Sequence, residues 1–248
     1  MELNEQNGQP LTKKERKELR RQERAREEQS HQRSKTVTKW VAKLVILLAI
    51  AGSINFFWYG ETQPTTPKSE SSTVATDDWI KGNKDSKVVL VEYLDFECEA
   101  CGAYYPVMKR LSEEYKDDVK FVVRYFPLPG HKNSMTSASA VEAAGRQGKY
   151  WEMHDIVFEN QRDWGEKKVA TPEIFEEYAK QLGLDLTKFQ QDVTSQEVKN
   201  RIERDKNNGI KLGIQGTPTF FLNGKKIENP RGYEEFKKIL DDVLEVTN

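Results

Sequence analysis

Both cysteines of this chain lie in one short stretch, FECEAC at positions 96–101. The stretch follows the apolar run Val88–Leu94, which is typical of a strand buried on both faces, and it opens a segment with helical spacing. Two residues three positions apart in the first turn of a helix are within disulfide reach, and the helix N-terminus favours the thiolate of the first. The fold must therefore hold a strand, the cysteine pair and a helix in this order.

A cysteine pair with this spacing fits redox exchange, a structural disulfide or part of a zinc site. A structural bridge that closes so small a loop would constrain the unfolded chain little. A zinc site would need His131 and His154 to reach the cysteines from distant parts of the chain. The residues therefore favour redox chemistry, with Cys98 as the nucleophile and Cys101 as the resolving thiol, and no metal or cofactor is expected.

The surrounding pattern predicts an α/β domain over residues 77–248. A second apolar run, Val119–Phe126, predicts a strand parallel to the first, joined to it by a right-handed helical crossover. Near the end, Thr219–Leu222 and Lys225–Ile227 flank Asn-Gly, which predicts a hairpin with a type I′ turn, and an amphipathic helix follows. Residues from about 133 to 212 have a helical pattern, so the sheet is interrupted by a helical insertion.

Together with Thr217 and Pro218 in the stretch GIQGTPTFF at positions 213–221, this pattern resembles the DsbA-like thiol:disulfide oxidoreductases. The resemblance covers about residues 77–248 and implies a thioredoxin-like mixed sheet with an inserted helical subdomain. It also implies a cis peptide bond between Thr217 and Pro218 beside the cysteines, with the Thr217 backbone offered to an extended substrate. An X-Pro bond is where a cis peptide is least costly, and pairing along a strand edge tolerates many substrate sequences.

Glu92, six residues before Cys98, matches the buried acid of this fold. A carboxyl among apolar strand residues should have a raised pKa, and it is expected to exchange a proton with Cys101. The other interpretation of Glu92 is a carboxylate that is paired with a lysine.

The residues between the two cysteines depart from the family pattern. Strongly oxidising members carry Pro-His there, whereas this chain has Glu99 and Ala100. The cationic histidine is missing from this position, and Glu99 adds negative charge beside the nucleophile. Both changes disfavour the Cys98 thiolate, so we expect a less oxidising pair than in the Pro-His enzymes.

The N-terminal part of the chain has a different character. Residues 1–39 carry 11 Lys or Arg against 7 Asp or Glu, and residues 40–59 are apolar, with Lys43 as the one charge and aromatic residues at both ends. Twenty such residues form a helix about as long as a bilayer core is thick, and the basic flank predicts a cytoplasmic N-terminus. We therefore expect a cytoplasmic tail, a single transmembrane helix in contact with lipid, and a Ser/Thr/Pro-rich linker at 60–76. A cleaved signal peptide is the alternative.

These features predict a membrane-anchored, extracytoplasmic thiol:disulfide oxidoreductase that acts on unfolded or reduced secreted proteins. The resemblance implies a DsbB-like, quinone-linked membrane partner that reoxidises it. A formal net charge of -1 excludes a strongly basic nucleic-acid binder. A reductase or isomerase of the same fold and a non-catalytic tethered peptide-binding module stay open as alternatives.

Overall fold

The structure is a computed structural model that describes Lys17 and residues 74–247. Within residues 74–247 the chain forms a five-stranded mixed sheet with the strand order β1-β3-β2-β4-β5. The strands are β1 Trp79–Gly82, β2 Val88–Leu94, β3 Val119–Tyr125, β4 Thr219–Leu222 and β5 Lys225–Ile227. The helices are α1 Glu99–Glu114, α2 Ser134–Gly145, α3 Tyr150–Glu159, α4 Gln161–Trp164, α5 Pro172–Gln181, α6 Leu186–Thr194, α7 Gln196–Lys211 and α8 Tyr233–Thr247.

The strand β2 lies at the centre of the sheet because it is apolar on both faces. It pairs in parallel with β3 and antiparallel with β4. Leu90 points into a core formed with α1 and α8, while its neighbour Val91 points into the core on the opposite face. Glu92 interrupts this apolar pattern in the middle of the sheet, with Val123 and Phe220 as its cross-strand neighbours.

One strand had no signal in the sequence pattern. The strand β1 has four residues and pairs antiparallel with the free edge of β3. Asp78, just before β1, is buried and its carboxylate accepts a hydrogen bond from Arg124 Nη2 at 2.7 Å. A strand this short carries too few alternating positions for recognition, and a buried ion pair fixes it in place.

The helices α2 to α7 all lie between β3 and β4 in the chain and form the insertion that the pattern predicted. Their apolar side chains share one core with the end of β2, the end of β3 and the cysteine pair. Trp164, Met153 and Ile202 are among the fully buried residues of this core. The insertion is therefore packed directly against the cysteines and is part of the structure that surrounds them.

The hairpin is formed as predicted. Asn223 and Gly224, with φ of 48° and 78°, are both left-handed, which is the backbone of a type I′ turn. After it, α8 packs Phe236 and Leu240 against α1 and the sheet. The mixed α/β fold is thus confirmed for the part of the chain that carries the cysteines.

The predicted tail at 1–39 and the predicted transmembrane helix at 40–59 lie outside the described residues, except for Lys17, as does most of the linker at 60–76. Among the described residues, no helix combines the length and the apolar character needed to span a bilayer. The membrane anchor therefore stays a prediction.

Candidate active site

Cys98 and Cys101 sit at the start of α1 with very different exposure. Cys98 is the N-cap residue, with an extended backbone at φ -69° and ψ 120°, and 9% of it is exposed. Cys101 lies one turn further on and is completely buried. Both are free thiols in this structure. A reactant from solvent therefore meets the Cys98 sulfur first.

The environment moves the pKa of the two thiols in opposite directions. A hydrogen bond from the Cys101 side chain is the main reason that the pKa of Cys98 falls to about 5, and the backbone N–H groups of Ala100 and Cys101 contribute. Burial, the hydrogen bond to Cys98 and the Glu92 carboxyl raise the pKa of Cys101 well above its usual value. At neutral pH Cys98 is therefore the nucleophilic thiolate and Cys101 keeps its proton.

Thr217 and Pro218 lie directly beside Cys98, and the peptide bond between them is cis. The Cys98 thiol donates a hydrogen bond to the Thr217 carbonyl, with 3.3 Å between sulfur and oxygen. The buried Thr217 hydroxyl finds no partner while Cys98 is a thiol, and it stabilises the charge once Cys98 is a thiolate. When Cys98 ionises, its sulfur changes from a hydrogen-bond donor into an acceptor. The thiol can therefore donate to the Thr217 carbonyl, and the thiolate can accept from the Thr217 hydroxyl.

An open groove of about 570 Å³ runs along the same loop. Its walls come from residues 215–219 and from residues 226–229 of the hairpin and the loop after it. Asn229 Nδ2 holds the floor by donating to the Pro218 carbonyl at 2.8 Å. Thr217, whose carbonyl accepts the hydrogen bond from the Cys98 thiol, is one of the residues that line this groove.

Glu92 lies beneath the cysteines, inside the sheet. Burial raises the pKa of its carboxyl to about 8, and its charge acts on Cys101. The carboxyl has no ion-pair partner among the described residues, and Lys81, which lines the same small cavity of about 30 Å³, pairs with Glu113 at 2.9 Å. The described residues thus offer no lysine partner for Glu92, and the direction of its pKa shift is the one expected for a buried carboxyl.

The two residues between the cysteines face solvent. Glu99 and Ala100 are both exposed in the first turn of α1. Their side chains bring no hydrogen-bond donor to the Cys98 sulfur. The largest contributions to the lowered pKa of Cys98 therefore come from Cys101, Thr217 and the backbone.

Gln161, from the short helix α4 of the insertion, holds the cysteine loop from the side. Its Nε2 donates to the carbonyl of Phe96 at 2.7 Å and to the carbonyl of Cys98 at 2.9 Å. Gly102 makes room for this amide, because a Cβ at Gly102 would lie 2.2 Å from Gln161 Oε1. No sequence signal distinguished Gln161 from other polar residues of the insertion.

Two buried acids, Asp95 and Glu97, hold the cysteine loop by accepting hydrogen bonds from backbone N–H groups. Asp95 Oδ1 accepts the Glu97 N–H at 2.9 Å, and Asp95 Oδ2 lies 2.7 Å from His131 Nδ1. The Glu97 carboxylate accepts the backbone N–H groups of Asn133, at 2.6 Å, and of Glu166, at 3.1 Å. The position of Asp95 at a strand end, directly before the cysteines, was the signal that could have found this network.

The two histidines that the zinc interpretation needed both lie against carboxylates, His131 against Asp95 and His154 against Asp155. His154 is buried among aromatic rings with Nδ1 3.0 Å from Asp155, and burial lowers its pKa. No group of three or more metal-ligating side chains occurs within the described part of the chain.

A family model described as thioredoxin matches residues 74–242, which contain the whole site. The chain belongs to the thioredoxin family. Among solved structures, BdbD from Bacillus subtilis is similar with a TM-score of 0.60 and 26% identity, over 67% of this chain and 92% of that one. Alpha-DsbA1 from Wolbachia pipientis is similar with a TM-score of 0.64 and 20% identity, over 70% of this chain and 96% of that one. The DsbA-like identification made from the sequence is confirmed.

Curated relatives of this thioredoxin-family chain include much longer proteins. The Na(+)/H(+) antiporter NhaA 3 of Salinispora tropica is 35% identical over 158 residues, which is 63% of this chain. The Na(+)/H(+) antiporter NhaA of Herminiimonas arsenicoxydans is 37% identical over 150 residues. The chain spans 23% of the length of each of these two relatives.

Proposed function

We propose that this chain catalyses thiol:disulfide exchange in polypeptides through Cys98 and Cys101. The observation that carries the proposal is the Cys98 sulfur with a pKa of about 5, which lies beside the buried Cys101 thiol and contacts Thr217 of an open groove. A low thiolate pKa makes Cys98 both a competent nucleophile and a good leaving group. Ion transport is not carried over from the antiporters, because the chain covers only 23% of their length.

In the oxidising direction, a client thiolate attacks the Cys98 sulfur of the oxidised pair. The Cys98–Cys101 bond breaks, Cys101 takes up a proton, and a mixed disulfide joins the client to Cys98. A second client thiolate then attacks the client sulfur, and Cys98 leaves as a thiolate. Two electrons have passed from the client to the cysteine pair, and the client has gained a disulfide bond.

Glu92 is the proton donor and acceptor that fits this scheme. It lies within the electrostatic field of Cys101, and its pKa of about 8 lets it hold or release a proton near neutral pH. Thr217 and Pro218 position the client backbone, because both line the groove and the Thr217 carbonyl contacts the Cys98 sulfur. Glu99 and Ala100 modulate the site through charge and access.

The thiolate pKa favours the oxidising direction over reduction. A site that stabilises the reduced thiolate makes the disulfide form the stronger oxidant. A reductase would need the opposite balance and a source of electrons. Measuring the equilibrium of the cysteine pair with a glutathione buffer decides the direction, since a strongly reducing pair would overturn the oxidase assignment.

Two cysteine variants test the activity. With Cys101→Ser, the Cys98 thiolate should attack a client disulfide, release one client thiolate and retain the mixed disulfide, whereas Cys98→Ser should form none. Wild-type chain that has been oxidised beforehand should also restore activity to a reduced, unfolded client that requires disulfides. Client binding that persists in the double serine variant, with no turnover by the wild type, would instead identify a peptide-binding module.

The cellular setting is proposed from the sequence. Residues 40–59 anchor the chain in the membrane with the catalytic domain outside the cytoplasm, where thiols of secreted proteins are available. Reoxidation would come from a DsbB-like membrane partner. Replacing Leu47 and Ile50 by arginine should release the full chain from the membrane fraction, whereas arginine at Thr66 in the linker should not; retention of both variants would refute the anchor.

A further inference from the structure

The loop between β3 and α2 is fastened to the cysteine loop at three points. Asp95 Oδ2 accepts the Leu128 N–H at 2.9 Å and lies 2.7 Å from His131 Nδ1. The Glu97 carboxylate accepts the Asn133 N–H at 2.6 Å. The backbone carbonyl of Asp95 also accepts the Cys98 N–H at 3.1 Å, so the residue that binds the His131 ring is in direct contact with Cys98.

The surroundings of His131 favour its charged form. The side chain of Asp95 is fully buried, whereas one third of the His131 side chain is exposed. Burial alone would lower the pKa of the imidazole, but the hydrogen bond and charge of Asp95, with the charges of Glu97 and Cys98, raise it. These three groups are the charges that face the ring from the cysteine loop and the start of α1.

We propose that the His131 imidazolium, oriented by Asp95, supplies the positive charge at the Cys98 thiolate that is missing between the cysteines. The proposal rests on thiol:disulfide exchange as the function of the site. In the second exchange step, Cys98 leaves the client sulfur as a thiolate, and a cation nearby stabilises that leaving group. His131 therefore replaces, from a separate loop, a charge that Glu99 and Ala100 do not provide.

The proposed role identifies His131 as an electrostatic positioning residue, since it acts through Cys98. It also predicts a coupled titration, because the thiolate of Cys98 and the imidazolium of His131 stabilise each other. Deprotonation of His131 at higher pH should destabilise the Cys98 thiolate. A plot of the exchange equilibrium constant against pH should therefore show a second transition, at the pKa of the histidine.

His131→Gln tests the inference in the full chain. The pKa of Cys98, followed by thiolate absorbance, should rise. The equilibrium constant for oxidation by glutathione should increase about threefold to tenfold, which is the effect expected from the loss of one partly screened charge near the thiolate. The second pH step should disappear. Lys132→Gln is the matched control, because it removes an exposed positive charge from the next position without a contact to Asp95.

Two results would overturn the inference. One is a His131→Gln variant with an unchanged Cys98 pKa and unchanged equilibrium; the other is an equal change in Lys132→Gln, which would reveal a general charge effect. Asp95→Asn, if it folds, should lower the His131 pKa and move the exchange equilibrium in the same direction as His131→Gln. Client oxidation by the wild type is measured in parallel, because its absence would refute the proposed function and leave the charge coupling itself measurable.

Discussion

Cys98 and Cys101 are the same chemical group within one helical turn, and the fold moves the pKa of each in the opposite direction. The helix start gives Cys98 backbone donors and the Cys101 thiol, while the interior gives Cys101 burial and a nearby acid. The hydrogen bond between the two thiols lowers one pKa and raises the other. The opposite pKa shifts of the two thiols thus follow from their different positions in the fold.

Replacing Glu92 by glutamine should change both stability and pH dependence. Because the pKa of Glu92 is raised to about 8 from 4.5, the folded wild type loses stability as pH rises from 4.5 to 8. Glutamine removes this loss. The free energy of unfolding of Glu92→Gln should therefore exceed that of the wild type by about 3 kcal/mol at pH 7 and should not exceed it at pH 4. Chemical denaturation at both pH values measures the difference.

The same variant should lose the pH dependence that Glu92 gives to the resolving step. Exchange at Cys101 should become slower and should no longer vary around pH 8. Glu197→Gln, an exposed acid on α7, is the control for loss of a carboxylate. An unchanged pH profile of exchange in Glu92→Gln would eliminate its role in proton transfer.

Glu99→Gln should make Cys98 more acidic. Glu99 is exposed in the first turn, so its charge is screened and we expect the thiolate to be favoured by only about twofold to threefold. The measurement is the titration of Cys98 by its rate of alkylation at low ionic strength. If the titration does not move, Glu99 does not modulate the nucleophile.

Part of the site was predictable because its residues are close in sequence or belong to a family pattern. Cys98, Cys101 and Glu92 lie within ten positions, and Pro218 follows a threonine before a hairpin. His131 contacts the loop across 36 positions through Asp95. A lone histidine in a loop carries no sequence signal of its own, so only the folded chain reveals it.

At the scale of elements, the side-chain amide of Gln161 joins the helical insertion to the cysteine loop. Gly102→Ala would place a methyl group where the Gln161 amide lies and should remove its hydrogen bonds to Phe96 and Cys98. We expect a loss of about 1 to 3 kcal/mol in the free energy of unfolding, since two buried carbonyls lose a partner. Thermal or denaturant unfolding measures this loss.

A double-variant cycle identifies the cause. Gln161→Ala removes the amide that would clash with the new methyl group, so the losses from Gly102→Ala and Gln161→Ala should not add. Gly130→Ala is not a suitable control because Gly130 has a left-handed backbone, whereas Ala100→Gly changes the same helix without touching Gln161. Full additivity of the first two variants would refute the proposed contact.

The elements differed in how much the sequence disclosed. The strands β2 and β3 are long and apolar on both faces, and Asn-Gly marks the hairpin, so these three were predicted to within one residue, the end of β3 being Tyr125 rather than Phe126. The strand β1 is short, and its place is set by pairing with β3 and by the Asp78–Arg124 ion pair. Contacts so distant in sequence leave no periodic pattern.

At the scale of the whole molecule, stability should depend on the redox state and on pH together. In the reduced protein, a folded pKa of about 5 for Cys98, against an ordinary value of 9, adds stability as pH rises from 5 to 9. The disulfide form has no such thiolate. The melting temperature of the reduced chain should therefore rise relative to that of the oxidised chain across this range.

Calorimetry of both redox states at several pH values tests this expectation. A variant with serine at both Cys98 and Cys101 should show no effect of reductant at any pH. A constant difference between the redox states from pH 5 to 9 would mean that the Cys98 thiolate does not contribute to the stability of the fold.

The overall architecture was accessible from the order of elements, because a helical crossover between parallel strands and a closing hairpin leave few arrangements. The sequence could also locate the insertion, since a run of helical pattern separates the two halves of the sheet. The way in which the insertion contacts the cysteine loop, through Gln161 and the acids Asp95 and Glu97, depends on side chains meeting across the fold.

The unequal depth of the two sulfurs also governs how the site meets reactive oxygen. A peroxide from solvent reaches Cys98, whose thiolate would become a sulfenic acid, while Cys101 is completely buried behind it and within hydrogen-bond reach. Condensation of that acid with the Cys101 thiol would release water and yield the same disulfide that the proposed exchange cycle uses. The sulfenic acid of Cys98 would thus be converted into the disulfide before it could be oxidised further to the irreversible sulfinic and sulfonic acids.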